Sequence, residues 1–243
     1  VGVLNNGYPF NHSFFNLFEW HAYEMLFGFI LTMITGFIFT AGGHWVGRGP
    51  VKEKALFILL CLYLIDKMII YLGLPVLLLK VLILIFPLYY IYSINKLLDE
   101  YQDKTKFILI FITIISLKVL YLFSKIDDFD AQVIKDLTIW IYIYLTYTIA
   151  TRIVPRFTQN LFKFDPPIHT PVGVHKVANI SIFLLIFTCF PMFPKWSNSI
   201  LYLFAGISCF VQQGFWHPHK VIKKMEIGML HIAYFLFSSA LDK

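Results

Sequence analysis

The chain has 243 residues, of which 58% are hydrophobic and only 14% are charged, and its formal net charge is +6. Charge this sparse cannot cover the surface of a water-soluble globule of this size, because the helices of a soluble domain need polar faces. The composition therefore excludes a soluble all-α domain. The positive charge is no sign of nucleic-acid binding, and we expect a membrane protein surrounded by the lipid bilayer.

Apolar runs of membrane length predict an all-α, polytopic transmembrane bundle of eight helices, forming a single domain over residues 1–243. The predicted spans are 21–41, 55–73, 76–95, 107–124, 133–154, 174–193, 198–216 and 226–241. Gly73-Leu74-Pro75 predicts a tight turn between the second and third spans. Because the chain starts at Val1 without a signal peptide and its last run is short, we expect both ends to be cut from a longer protein.

The distribution of basic residues predicts the orientation of the bundle. Of the 20 Lys and Arg residues, 13 fall on one side of the predicted membrane and four on the other. Basic residues are enriched in cytoplasmic loops. This bias places residues 1–20 outside the cytoplasm and the 42–54 loop inside.

The first predicted span carries two polar residues, His21 and Glu24, at its start. Residues three apart share one face of a helix. Because a carboxylate or imidazole facing lipid is costly, we expect both side chains to point into the bundle. They suit a metal or haem ligand with a carboxylate that orients it or takes its proton. The alternative is a helix start at the interface, where both side chains are partly hydrated.

Polar residues in other spans allow two interpretations each. Asp66 suits a proton or ion path, or it pairs with a basic residue of another helix while Lys67 extends to the interface. Lys80 and Lys118, near the outer ends of their spans, are expected to extend to the interface. His231, about one turn into the last helix, is either a buried ligand or a hydrogen-bonded core histidine.

Basic residues at the cytoplasmic side also allow two interpretations. Arg152 and Arg156 flank Pro155, which we expect to end or kink the fifth helix. Their guanidinium groups suit anionic partners such as propionates or phosphates, or they anchor the helix end at the membrane surface. His217 and His219 are close enough in sequence to share a metal, or they belong to an interfacial loop.

The membrane levels of two histidines predict separate sites. His21 lies near the outer face and His231 near the inner face of a hydrocarbon core that is about 30 Å thick. We therefore expect them not to ligate the same haem.

Three sequence blocks resemble the NnrS family of polytopic membrane proteins. Trp20-His21-Ala22-Tyr23-Glu24-Met25-Leu26-Phe27-Gly28 resembles the family pattern WHxHEMLFG, with Tyr23 in place of a His. The match continues through Gly36-Phe37, Thr40-Ala41, Trp45, Gly47-Arg48 and Pro50, with His44 where the family usually has Asn. Arg152-Ile153-Val154-Pro155, Phe157-Thr158 and Asn160 resemble GRxIPFFTRN, and Leu230-His231 with Tyr234 resembles a helical Leu-His-x-x-Tyr. Because the blocks keep the family's order over most of the chain, the resemblance is specific.

The resemblance implies a haem- and copper-containing protein of the bacterial inner membrane that is linked to nitric oxide resistance. It implies His21 and His231 as haem or copper ligands, Glu24 as a partner of the first, and Arg48 and Arg152 as groups that hold anions at the cytoplasmic rim. Nitric oxide or an iron–nitrosyl species would be the small-molecule ligand. The resemblance does not decide whether the protein converts this ligand into a product. The family architecture of about twelve helices implies that this chain lacks the first helix and the last few.

Two other classes of function compete with this one. A secondary transporter or channel would use Asp66 as its coupling carboxylate, and inverted repeats or broken helices would support it; the sequence shows no such symmetry. An assembly or scaffold protein without chemistry would leave His21 without a ligand. In this chain Asp66-Lys67 stands where the family's second helix has Gly-Arg.

Overall fold

The computed structural model of the chain describes residues 17–47, 53–69, 72, 75–126, 131–163, 167–190, 194–221 and 225–240. All regular secondary structure in these ranges is helical. This confirms the predicted all-α class. Arg48 and the turn at Gly73-Leu74 lie outside the described residues.

Contacts divide the chain into two compact units, Val1–Thr138 and Ile139–Lys243. In the first unit, one long helix consists of α1, a π-helical segment and α2, and it is followed by four further helices. Their bounds are α1 Leu17–Tyr23, the π-helical segment Glu24–Ile30, α2 Leu31–Trp45, α3 Glu53–Ile69, α4 Val76–Leu82, α5 Ile85–Leu97 and α6 Lys104–Ile126.

The second unit begins within α7 and ends with the last helix. Its helices are α7 Gln132–Phe162, α8 Val172–Leu184 with a 3₁₀ extension Leu185–Cys189, α9 Lys195–Gly214, the short α10 Pro218–Val221 and α11 Met225–Ala240. Each of the eight predicted spans therefore coincides with helix in the described residues. The prediction that all 243 residues form a single domain stays a prediction.

Within the described residues, five helices are long and apolar enough to cross a membrane. They are Phe18–Trp45, Leu77–Leu97, Lys104–Ser124, Gln132–Phe162 and Val172–Cys189. A bilayer core of about 30 Å takes about 20 helical residues, so each helix matches that thickness. The chain is a multi-pass membrane protein.

The distribution of polar and apolar side chains is the reverse of that in a soluble protein. Large apolar residues such as Met68 and Leu77 are exposed, whereas Asp66, Lys118 and Gln212 are buried. So much exposed apolar surface needs to be covered by another apolar medium, and the lipid bilayer provides it. The interior therefore holds the polar groups that a site would need.

Of the two outcomes expected at Pro155, an end or a kink of the helix, the structure excludes the end. Helix α7 continues through Pro155 to Phe162. Proline removes one backbone hydrogen bond, but every backbone group in a bilayer needs a partner, which favours continuing the helix over unwinding it. The block around Pro155 is therefore helical, and Thr158 lies on the same helix as the residues before it.

Candidate functional site

The first membrane span contains a π-helical segment that starts at Glu24. Such segments are rare and often lie at functional sites. Gly28, in the same segment, lies against the Glu24 carboxylate: a Cβ atom added to Gly28 would be 2.5 Å from Glu24 Oε2 and 3.3 Å from Lys67 Nζ. The absence of a side chain at Gly28 thus leaves room for a charged pair.

Glu24 forms an ion pair with Lys67 of α3. Lys67 Nζ lies 2.8 Å from Oε1 and 2.9 Å from Oε2 of the carboxylate. The same ammonium lies 4.3 Å from the centroid of the Tyr23 ring. The expectation that Lys67 extends to the interface is wrong. Its ammonium is stabilised inside the unit by the Glu24 carboxylate and by the face of the Tyr23 ring.

Asp66, the neighbour of Lys67 on α3, forms a second ion pair. Its Oδ2 lies 2.6 Å from Nζ of Lys118 on α6, and the Lys118 side chain is fully buried. This confirms that Asp66 pairs with a basic residue of another helix, and it contradicts the expectation that Lys118 extends to the interface. Adjacent helical residues point about 100° apart, so Asp66 and Lys67 of α3 bind side chains of two different helices. Both pairs are neutral overall.

Tyr23 stands where the family pattern has a histidine, and its side chain is buried. Its ring stacks on Tyr121, with centroids 6.0 Å apart and planes inclined by 14°. The Tyr121 hydroxyl donates to the backbone carbonyl of Glu19 at 3.1 Å. Tyr23 therefore packs against another aromatic ring within the first unit. Sequence reasoning did not identify Tyr121 or Lys118 as part of this cluster, because neither stands in a recognised block.

His21 is exposed and forms no hydrogen bond or ion pair with the described residues. The expectation that His21 and Glu24 both point into the bundle is therefore wrong for His21. The longer Glu24 side chain reaches Lys67, whereas His21 lies in the first turns of the span Phe18–Trp45. An interfacial imidazole there tolerates exposure because water and head groups reach that level.

His231 lies in a buried hydrogen-bonded cluster of the second unit. Its Nε2 is 2.9 Å from Oγ1 of Thr158, which itself donates to the Val154 carbonyl at 2.8 Å. Because the Thr158 hydroxyl has one hydrogen, His231 Nε2 must be the donor, and Nδ1 keeps its lone pair. Nδ1 is buried and has no hydrogen-bond partner among the described residues. His231 is thus a hydrogen-bonded core histidine with one free acceptor.

Gln212 of α9 organises the polar groups around this cluster. Its Oε1 accepts hydrogen bonds from the hydroxyls of Tyr147 at 3.0 Å and Tyr234 at 3.3 Å. Its amide nitrogen therefore faces His175, 2.9 Å from Nδ1. The next residue, Gln213, donates to the backbone carbonyl of His231 at 2.6 Å. These bonds tie α9 to α7, α8 and α11.

The basic residues assigned to anion binding are only partly described. Arg152 is half-buried on α7, and Arg156 is exposed one turn later. Arg48 lies outside the described residues. Anion binding by Arg48 and Arg152 stays a prediction.

His217 and His219 lie close together in the loop region after α9. Their ring centroids are 6.0 Å apart, with the planes nearly perpendicular at 89°. Burial, with smaller contributions from Lys220 and His219, lowers the pKa of His217 below its usual value. His217 is therefore neutral near pH 7, the form that ligates metals.

A family model described as NnrS protein matches residues 2–241. The chain belongs to the NnrS family. No curated protein and no solved structure gives a significant match. The first NnrS block supplies Glu24 and Gly28 to the charged cluster of the first unit. The second and third NnrS blocks meet in the second unit, where Thr158 bonds to His231.

The described residues can be tested against the metal groups that the NnrS resemblance implies. They contain no group of three or more His, Cys, Asp and Glu side chains that could hold a metal ion, so they do not fit a copper site with several protein ligands. The buried His231 ring packs edge-on to Trp216, with centroids 6.5 Å apart, and its Nδ1 atom is the nitrogen that would hold a metal. Metal binding by His231, including copper binding, stays a prediction. The exposed His21 imidazole is a group that would hold a haem iron, and this role stays a prediction.

Proposed function

We propose that this NnrS-family chain is a haem-binding membrane protein that acts in resistance to nitric oxide, and that His21 would hold the haem iron. Family membership and the exposed His21 imidazole, which has no hydrogen-bond partner among the described residues, support this proposal. A haem bound there would supply an iron atom able to bind nitric oxide or to exist as an iron–nitrosyl species. We place the chain in the bacterial inner membrane.

Charged residues close to His21 form an ion pair within the first unit. The Glu24–Lys67 pair places a charged but neutralised cluster one turn deeper than His21. Glu24 accepts hydrogen bonds and can hold a proton, whereas Lys67 keeps the carboxylate from carrying an uncompensated charge into lipid. In this proposal, Glu24 exchanges a proton with the site. The ring of Tyr23 holds the Lys67 ammonium in position.

An optical spectrum of the protein purified from membranes tests the proposal. We expect a Soret band that shifts when nitric oxide is added. The His21→Ala variant should lose or shift this band, whereas His44→Ala, a change at an exposed histidine near the other end of the same helix, should leave it unchanged. A wild-type protein without a Soret band would overturn haem binding, and equal spectra for the two variants would exclude His21 as the ligand.

A second candidate function, ion-coupled transport through Asp66, is favoured by one observation. The Asp66 Oδ1 atom is buried in the first unit and lacks a hydrogen-bond partner among the described residues, although Oδ2 binds Lys118. A carboxylate with spare acceptor capacity inside a membrane suits proton or cation passage. Proteoliposomes loaded with a pH-sensitive dye should show proton flux that Asp66→Asn abolishes. Equal flux in empty liposomes would eliminate this candidate.

A further inference from the structure

A groove of about 450 Å³ lies beside the Glu24–Lys67 pair and shares only Glu24 with the haem site proposed above. It runs along the π-helical segment and the start of α2, and one residue of α3 closes it. Its lining residues are Glu24, Met25, Gly28, Phe29, Thr32, Met33 and Tyr63. The volume falls within the range of small-molecule sites, which is about 300–1,000 Å³.

The polar wall of the groove offers hydrogen-bond acceptors, and the charge of its carboxylate is balanced by Lys67, which lies outside the lining. Glu24 lines the groove, whereas its partner Lys67 does not, and each carboxylate oxygen keeps a lone pair beyond the one that faces Nζ. The Thr32 hydroxyl donates to the Gly28 carbonyl at 2.6 Å and is also hydrogen-bonded to the Tyr63 hydroxyl. The Tyr63 hydroxyl therefore donates to Thr32, and its oxygen keeps a lone pair that accepts from a ligand. These groups select a neutral ligand that carries O–H donors.

The apolar wall of the groove consists of long, flat or flexible side chains. Met25, Phe29 and Met33 are all exposed, by 43%, 61% and 60%. They belong to a helix that crosses the membrane, so a ligand reaches them from the bilayer. Methionine sulfur and the phenyl face both pack well against an aromatic ring. The groove therefore suits a ring-shaped head group whose tail remains in lipid.

We propose that this groove binds the head group of an isoprenoid quinol, with one quinol hydroxyl donating to Glu24 and the tail extending into the bilayer. A phospholipid suits the groove less, because its phosphate would face the Glu24 carboxylate. A diacylglycerol carries a hydroxyl donor but no ring to pack on Phe29. The proposal goes beyond the haem function and does not depend on it, since it includes binding only.

Thermal stability in the presence of a tail-less quinol tests the proposal. The protein in phosphatidylcholine nanodiscs is titrated anaerobically with duroquinol, and a ligand that binds the folded state raises the Tm saturably. We expect a saturable rise for the wild type. Duroquinone, which has no O–H donor for Glu24, should bind at least tenfold more weakly. Equal affinity for the two forms would overturn the hydrogen bond to Glu24, and no saturable rise would overturn the site.

Paired variants locate the binding in the groove. Met33→Trp fills the groove, whereas Met68→Trp makes the same change at an exposed methionine of α3 outside it. Thr32→Val removes a lining hydroxyl, whereas Thr40→Val removes a hydroxyl that bonds to its own helix in the same way but does not line the groove. The two lining variants should weaken duroquinol binding at least tenfold and the two controls less than twofold.

Two results would contradict the location or the ligand class. Equal duroquinol affinity in all four variants would place the binding elsewhere in the protein. A saturable effect of dioctanoylglycerol that is lost in the same two lining variants, at an affinity equal to that of duroquinol, would assign the groove to acylglycerols and overturn the quinol.

Discussion

Lys67 and Lys118 each bind a carboxylate of another helix within the first unit, at distances of 2.8 Å and 2.6 Å. Both lysines lie on membrane helices, where an unpaired ammonium is costly. Removing one partner of such a pair leaves the other as an uncompensated charge. Replacing one member of a pair should therefore lower the stability of the protein more than replacing both members.

Lys118→Met should destabilise the protein by about 3–5 kcal/mol, because Asp66 then remains buried without a partner. The double change Asp66→Leu with Lys118→Met should recover most of this loss, since neither charge remains. Thermal unfolding in detergent, followed by fluorescence-detected size exclusion, measures both. A double variant that is less stable than Lys118→Met alone would contradict the prediction.

Gly28→Ala should weaken the Glu24–Lys67 pair, because the new methyl group would occupy the position of the carboxylate. Gly36→Ala is the matched control, since nothing lies within 4 Å of a Cβ atom at that position of the same span. Alanine favours a helix over glycine by about 1 kcal/mol. We therefore expect Gly36→Ala to raise the Tm and Gly28→Ala to lower it, and equal rises in both variants would count against a spatial role for Gly28.

At the scale of the helices, α9 connects to its neighbours through side-chain amides instead of charges. Gln212 accepts from Tyr147 of α7 and Tyr234 of α11, and Gln213 binds the backbone of α11. Interhelical hydrogen bonds of this kind contribute about 1 kcal/mol each in membranes. The second unit thus depends on a few polar contacts between otherwise apolar helices.

Gln212→Leu should lower the stability by about 1–3 kcal/mol, because the hydroxyls of Tyr147 and Tyr234 lose their acceptor inside the unit. Gln132→Leu is the control, since Gln132 is exposed and its side chain bonds to Asp136 on its own helix. Surface changes of that kind stay within about 0.5 kcal/mol. Chemical or thermal unfolding of the two variants side by side is the measurement. If both lost the same stability, the role of Gln212 would be unsupported.

The π-helical segment of the long helix from α1 to α2 presents Glu24 both to Lys67 of α3 and to the groove. Phe29 of the same segment and Met33 of α2 line the same groove. A π-helical turn contains an extra residue, so it changes the direction of side chains before and after it. This single element therefore carries the charged pair and the proposed quinol groove.

At the scale of the whole chain, the basic residues predict that the 96–106 loop faces the cytoplasm and that both ends of the chain lie outside. In a variant whose native cysteines are replaced, Gln102→Cys should resist a membrane-impermeant thiol reagent in intact cells. Asp128→Cys, in a loop predicted to lie outside, should react. The reverse pattern of labelling would overturn the orientation that the basic bias predicts.

Much of the fold follows from the sequence, because membrane insertion depends on local hydropathy. The helices that are long and apolar enough to cross a membrane, from Phe18–Trp45 to Val172–Cys189, each overlap a predicted span. The family was also recognisable from three blocks, and its model matches residues 2–241. Even the pairing of Asp66 with a basic residue of another helix was predictable, since a buried carboxylate needs a cation.

Only the tertiary structure decided which charges meet and which polar residues stay exposed. Lys118 is 52 positions from Asp66, and Lys67 is 43 positions from Glu24, so no local pattern could select these partners. His21 and Glu24 are three residues apart, yet one is exposed and the other is paired. The reason is physical: hydropathy determines whether a segment enters the bilayer, whereas the partner of a polar side chain depends on which helices pack together and how far each side chain reaches.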